Sequence, residues 1–248
     1  MTPERRTYSV PVEPEQLSVK ISERENVTAL LYSAAKKERV SATVLLAHGA
    51  GSNQLNSFMQ LFAHGLAARG FDSMTFNFAY MEQGRRVPDQ KAKLESCYRS
   101  VIEAALSHKK LKKNRLVISG KSMGGRIASQ VAASLSENNE PLAGSIFGLV
   151  FLGYPLHPPG NPAKLRADHL KNVQPPMLFV QGTRDAFGTP DEIRPIIKQL
   201  RLPAEIYAIE GGDHSFKVPK SSGLTQAEVY EAALDKVAQW VQSLLKEV

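Results

Sequence analysis

The stretch Val117-Ile-Ser-Gly-Lys-Ser-Met-Gly-Gly-Arg126 carries two chemistries at once. Its Gly120-Lys121-Ser122 matches the end of a phosphate-binding loop, and its Gly120-Lys-Ser-Met-Gly124 matches G-x-S-x-G, a turn that presents a nucleophilic serine. The first reading needs another glycine five positions before Gly120, so that the loop can wrap phosphates. That position is Arg115, and Arg115-Leu-Val-Ile-Ser119 has the composition of a strand. The second reading needs an apolar strand, a tight turn and a helix. Leu116-Val-Ile leads into Gly120, Ser122 and Gly124, and Ile127, Val131 and Leu135 then recur at helical spacing.

A serine hydroxyl is a weak nucleophile until a base takes its proton, and the base needs an orienting acid. On a strand–turn–helix scaffold these follow in the order Ser, acid, His. Of the six histidines, only His157, His169 and His214 follow Ser122. His214, in Gly211-Gly-Asp-His-Ser-Phe216, directly follows the last strand pattern on a glycine-rich loop. For the acid, Asp185 closes Gln181-Gly-Thr-Arg-Asp185 at the end of the preceding strand. Asp213 is the competitor, but neighbours on a loop rarely point at each other. An oxyanion needs two backbone N–H groups. Met123, after the serine, supplies one; His48-Gly-Ala-Gly51 supplies the other through Ala50, with Gly51 as the alternative. His48 reads as a residue that shapes this loop.

Elements that place such groups are legible along the chain. Strands are expected at Thr43–Ala47, Ser73–Phe78, Arg115–Ser119, Ile146–Leu152, Met177–Gln181 and Ala204–Ile209. Helical spacing links Phe58, Leu61, Phe62 and Leu66, then Leu94, Cys97, Tyr98, Val101 and Ala105. Another helix is expected over Asp191–Leu200. A last one opens on the capping box Thr225-x-x-Glu228, with Tyr230, Leu234, Val237, Val241 and Leu244 as its stripe. In the first 40 residues, Tyr8, Val10 and Val12 alternate, as do Val27, Ala29 and Leu31, which suits extended segments. Alternation of strand and helix from about residue 40 predicts an α/β fold with a mostly parallel sheet covered on both faces, and function at the C-terminal strand ends.

Composition sets the remaining bounds. With 248 residues, 42% of them hydrophobic, the chain can bury one sizeable core, so a single domain over 1–248 is expected, with 1–25 an N-terminal extended segment. The polar start, Met1-Thr-Pro-Glu-Arg-Arg-Thr-Tyr8, lacks the apolar core of a secretory signal, and no apolar run reaches membrane-span length. One cysteine, Cys97, excludes an internal disulfide. These features point to a cytoplasmic protein. The net charge of +7 is densest at His108-Lys-Lys-Leu-Lys-Lys-Asn-Arg115, with no aromatic residue interleaved; it reads as a solvated helix end, and nucleic acid is not expected as a partner. No cluster has metal-ligand spacing. Lys121 and Arg126 read as solvent-facing or salt-bridged cations, or more sharply as a positive field for an anionic substrate. Cys97 reads as core packing.

Together, Ala47-His-Gly-Ala-Gly51, Gly120-Lys-Ser-Met-Gly-Gly-Arg126, Gln181-Gly-Thr-Arg-Asp185 and Gly211-Gly-Asp-His214 make the chain resemble the α/β-hydrolase superfamily from about residue 26 to the end. More narrowly it is similar to the dienelactone-hydrolase-like predicted hydrolases, a group that includes testis-expressed proteins and a subunit of a chromatin-modifying NSL complex. Lysine before the serine, where many esterases have histidine, marks that narrower group. The resemblance implies about eight strands in a three-layer sandwich, no large cap domain, no cofactor, and a triad of Ser122, Asp185 and His214. Dienelactone hydrolases proper use a cysteine where this chain has Ser122, so lactone chemistry is not implied.

The expected activity is cleavage of a small-molecule carboxylic ester or thioester through an acyl-enzyme. A hydrolase-fold interaction module with little turnover is the alternative, and a peptidase is a weaker one. Segments 79–92 and 153–173 are the only insertions long enough to line a pocket, which suggests an open site for a small or medium acyl group. Tyr154-Pro-Leu-His-Pro-Pro-Gly160 follows a strand end, so Tyr154 and His157, with Gly51, are expected in the pocket wall.

Overall fold

The computed structural model describes residues 13–246. Tyr8, Val10 and Val12 lie outside the described residues. Among the described residues, eight strands form one sheet in the order β1-β2-β4-β3-β5-β6-β7-β8. They are β1 (Glu15–Lys20), β2 (Asn26–Tyr32), β3 (Val40–Ala47), β4 (Phe71–Phe76), β5 (Arg115–Lys121), β6 (Ile146–Leu152), β7 (Met177–Gly182) and β8 (Ala204–Ile209). The β1–β2 and β2–β4 pairings are antiparallel, and every pairing from β4 through β8 is parallel. The helices are α1 (Ser57–Ala68), α2 (Ala79–Glu82), α3 (Lys91–Ser107), α4 (Met123–Glu137), α5 (Pro190–Leu200) and α6 (Gln226–Lys246).

Parallel neighbours require crossover connections, and the helices that supply them cover both faces. Successive residues of a strand point to opposite faces, so the central strands are buried on both faces and mostly apolar. In β5, Ile118 packs with α3 and α4 residues such as Tyr98 and Ile127, while Val117 belongs to the opposite core with Phe62, Leu234 and Trp240. This two-sided burial explains why β3 and β5 read as unbroken apolar runs. The α6 stripe meets the second core as its spacing predicts, and Thr225 and Glu228 exchange the capping-box hydrogen bonds. Thr189 and Glu192 do the same for α5.

Two buried polar groups lock the frame. Asp72, at the start of β4, accepts Ala34 N–H at 3.0 Å, Arg39 Nη2 at 2.9 Å and Asn114 Nδ2 at 2.9 Å. Tyr98 donates its hydroxyl to Ser119 O at 2.7 Å and accepts Ser119 N–H at 3.1 Å, clamping α3 onto β5 two residues before the elbow lysine. Burial pushes the Cys97 thiol up to about 12, in keeping with a packing role.

Candidate active site

Strand β5 hands over to α4 through Ser122, whose backbone stands at φ 51°, ψ −116°. A non-glycine residue rarely occupies this region, and holding one there costs about 1–3 kcal/mol. The surroundings enforce it. Ser122 N–H donates to Leu152 O at 3.0 Å, and Arg126 N–H to Ser122 O at 3.1 Å. A Cβ on Gly120 would stand 2.4 Å from Gly124 C, and one on Gly124 would stand 2.3 Å from Ala47 O. The glycines two before and two after the serine are therefore required by backbone proximity. That is the physical content of the pattern.

The turn points Ser122 Oγ at His214 Nε2, 2.8 Å away. His214 Nδ1 lies 2.8 Å from Asp185 Oδ2. A carboxylate only accepts, so Nδ1 carries the proton and Nε2 is left to accept from the serine hydroxyl. Asp185 is buried and fully engaged: Gln181 Nε2 donates to Oδ2 at 2.9 Å and Phe187 N–H to Oδ1 at 2.8 Å. The Phe187 ring rests on the His214 imidazole, with centroids 4.2 Å apart.

Asp213, the competing acid, faces away. Its Oδ1 accepts Ser215 N–H at 2.7 Å and Lys217 N–H at 2.9 Å, which turns the loop that carries His214.

Ser122, Met123, Ala50 and His214 line one cavity of about 450 Å³ at the C-terminal end of the sheet. Met123 N–H opens α4, and among the described residues neither it nor Ala50 N–H donates to a protein acceptor. His48 holds the Ala50 loop from behind. Its Nδ1 donates to Gly49 O at 2.8 Å and its Nε2 accepts Phe78 N–H at 3.1 Å, which requires neutral imidazole. Burial pushes it down to about 4, so the ring stays neutral. The structural role expected for His48 is the one observed.

Both insertions reach the cavity, 79–92 through Pro88 and Asp89 and 153–173 through Pro155 and Arg166. The expected wall residues differ. Tyr154 is fully buried behind the wall: its N–H donates to Gln181 Oε1 at 2.7 Å and its hydroxyl to Arg166 O at 3.0 Å. His157 is also turned inward, Nδ1 to Pro158 O at 2.9 Å and Nε2 facing Glu192 Oε1 at 3.2 Å, pinning the insertion to α5. Gly51 makes the loop's left-handed turn, φ 67°, and lies outside the lining. Pro155, Arg166 and Phe187 line the wall instead. An exposed-looking proline-rich run conceals which of its side chains turn inward; that was not readable without the packing.

Lys121 departs from both plain readings. Its Nζ is fully buried, makes no hydrogen bond, and lies 5.9 Å and 5.7 Å from the ring centroids of Phe58 and Phe216. Burial pushes the ammonium down to about 8, against the pull of Asp185 and Asp213. Gln181 and Phe187 also support the triad, Gln181 through Asp185 and Phe187 through both Asp185 and the His214 ring. No spacing signal marks them, because both act by contact across loops.

A family model described as an alpha/beta hydrolase domain matches residues 40–242. The chain belongs to the alpha/beta hydrolase family. Solved structures of this fold superpose over nearly its full length. A serine hydrolase without a lid from Xanthomonas campestris is 18% identical, with 96% of each chain covered and a TM-score of 0.67. A dienelactone hydrolase from Anabaena variabilis is also 18% identical, covering 94% of this chain and 99% of its own, TM-score 0.69. Est1E from Butyrivibrio proteoclasticus, solved with ferulic acid bound, is 14% identical, covering 93% of this chain and 99% of its own, TM-score 0.71. At these identities the likeness concerns the fold. Among the described residues no large cap covers the sheet, and no helix is long and apolar enough to cross a membrane.

Proposed function

We propose that this hydrolase-family chain is a serine hydrolase of small-molecule carboxylic esters or thioesters, working through Ser122, His214 and Asp185. The observation that carries this reading is the continuous relay of 2.8 Å from Ser122 Oγ to His214 Nε2 and 2.8 Å from His214 Nδ1 to Asp185, opening into a cavity.

Ser122 Oγ attacks the carbonyl carbon while its proton passes to His214 Nε2. The carbonyl oxygen becomes an oxyanion facing the Met123 and Ala50 N–H groups, and each such donor is worth roughly 100- to 1,000-fold in turnover. The intermediate collapses, the bond to the alcohol or thiol breaks, and His214 returns the proton to the leaving group. Water then attacks the acyl-enzyme by the same path: His214 takes its proton, the acid departs, and the proton returns to Ser122. Asp185 remains ionised throughout and holds the imidazole in its working tautomer. The absence of any cofactor step follows from this chemistry, and a cytoplasmic, single-domain enzyme is the setting we propose for it.

A fluorophosphonate probe tests the reading. Labelling of the wild-type protein that vanishes in Ser122→Ala is the expected result. No labelling, together with no turnover across 4-nitrophenyl esters and acyl thioesters, would leave the chain as a hydrolase-fold interaction module.

A further inference from the structure

Four ionised side chains line the cavity beside Ser122: Asp89, Lys91, Arg126 and Arg166. Two of them have ion-pair partners of their own. Asp89 Oδ1 accepts Arg85 Nη2 at 2.6 Å, while its Oδ2 is buried without a hydrogen-bond partner, and Lys91 Nζ lies 3.4 Å from Glu95 Oε1. Arg126 and Arg166 have no carboxylate within ion-pair distance among the described residues, and Arg126 Nε is buried without a hydrogen-bond partner. Burial above all lowers the Arg126 guanidinium from its ordinary value; Arg166 adds to this, while Tyr154 and, at longer range, Glu95 pull the other way. The same field reaches His169, which burial first, and then Arg126 and Lys91, push down to about 4.

Two neighbouring arginines with no carboxylate in direct contact, one of them half-buried, are costly in a protein that could pair them. A planar guanidinium matches a carboxylate in a two-pronged geometry. Apart from Ser122 and His214, the rest of the wall, including Leu94, Ile127, Pro155 and Phe187, is apolar. Arg126 follows Ser122 by one turn of α4, about 6 Å along the axis, so an anion on it stands a short carbon chain away from the nucleophile.

We propose that this cavity selects esters or thioesters carrying a free carboxylate, which Arg126 and Arg166 hold while the scissile carbonyl lies over Ser122. The proposal rests on the serine-hydrolase reading above and names its substrate class.

Two matched pairs of substrates test it. One places the anion on the acyl group: 4-methylumbelliferyl adipate half-ester against 4-methylumbelliferyl hexanoate. The other places it on the alcohol: 4-carboxyphenyl hexanoate against phenyl hexanoate. In at least one pair, kcat/KM for the anionic member is expected to exceed that of its neutral partner by roughly 10- to 100-fold. That ratio falls with added salt in the wild-type protein and drops toward one in Arg126→Gln and in Arg166→Gln. Should Arg126→Gln fail to fold, Arg166→Gln and the salt titration carry the comparison. Hydrolysis of the neutral esters with no anionic preference in either pair overturns the proposal, as does a preference that both variants retain. If no ester is turned over and Ser122 takes no fluorophosphonate, the hydrolase reading has failed, and this inference falls with it.

Discussion

The ammonium of Lys121 lies against the backbone of Gly153, so close that a Cβ there would stand 2.9 Å from Nζ. The same Cβ would meet His214 Nδ1 at 3.4 Å. The residue before the nucleophile thus ends beneath the histidine loop, boxed between Phe58, Phe216 and a residue that has φ 69°.

A lysine pushed from 10.5 to about 8 has a definite linkage to stability. The unfolded chain takes up the proton first as pH falls, so the buried charge destabilises the fold fully below about pH 8. The penalty is relieved as pH rises from 8 through 10.5. Lys121→Met is therefore expected to be more stable than wild type at pH 7, by on the order of 2–3 kcal/mol, and to lose that advantage near pH 10.5. Urea unfolding of both proteins at the two pH values measures it. An advantage of the same size at both would show that the charge is not its source.

Ser122 sits where only glycine is comfortable. Glycine ordinarily costs stability by loosening the unfolded chain, by about 0.4–1 kcal/mol relative to alanine. At this position the relief of backbone strain, about 1–3 kcal/mol, outweighs it. Ser122→Gly is expected to melt above Ser122→Ala, although both lose the nucleophile. Thermal denaturation of the pair decides it, and the opposite order would mean that the elbow is not strained.

Asp185→Asn keeps the size of the side chain but lets it offer N–H where His214 Nδ1 and Gln181 Nε2 both donate. The imidazole then loses the partner that sets its tautomer. A fall in kcat of roughly 10,000-fold is expected, with Ser122 labelling slowed in step. Circular dichroism accompanies the kinetics, and near-normal kcat in a folded variant would remove Asp185 from the relay.

His169 is partly buried with Nε2 2.8 Å from Ser129 Oγ, and desolvation pushes it down to about 4. Above pH 6.5 it is neutral in both folded and unfolded chains and contributes nothing to pH dependence. Between 6.5 and 4 the unfolded chain binds the proton and the folded one does not, so stability falls as pH falls. His48 behaves alike. His169→Gln is expected to flatten the loss of unfolding free energy between pH 7 and pH 4.5 by on the order of 2 kcal/mol. An unchanged slope would show that His169 is not a source of the acid sensitivity.

Much of the fold could be read before any coordinates. The strands after residue 40 appear near the apolar runs, because a central parallel strand buries both faces and is therefore mostly apolar. Boundaries moved by a few residues: β3 begins at Val40 rather than Thr43, and β4 spans Phe71–Phe76 rather than 73–78. Pairing with a neighbour, which the sequence does not display, sets those ends. At the N-terminus, Val27, Ala29 and Leu31 alternate as expected, yet Leu30 and Tyr32 are buried too, since α1 covers the other face of β2.

The sequence by itself determined the order of the reactive groups. Strand, tight turn and helix around Ser122, an acid after β7 and a histidine after β8 are all local patterns, each imposed by what its own few residues can adopt. Only the tertiary structure decided the contacts among side chains distant in sequence. It turned Asp213 into a loop brace and gave His214 to Asp185; it folded Tyr154 and His157 inward; it buried Lys121; and it left Arg126 and Arg166 facing one cavity. Those outcomes depend on which side of a loop faces the packed interior. Burial and charge pairing across 30 to 90 residues settle that, and no local spacing encodes it.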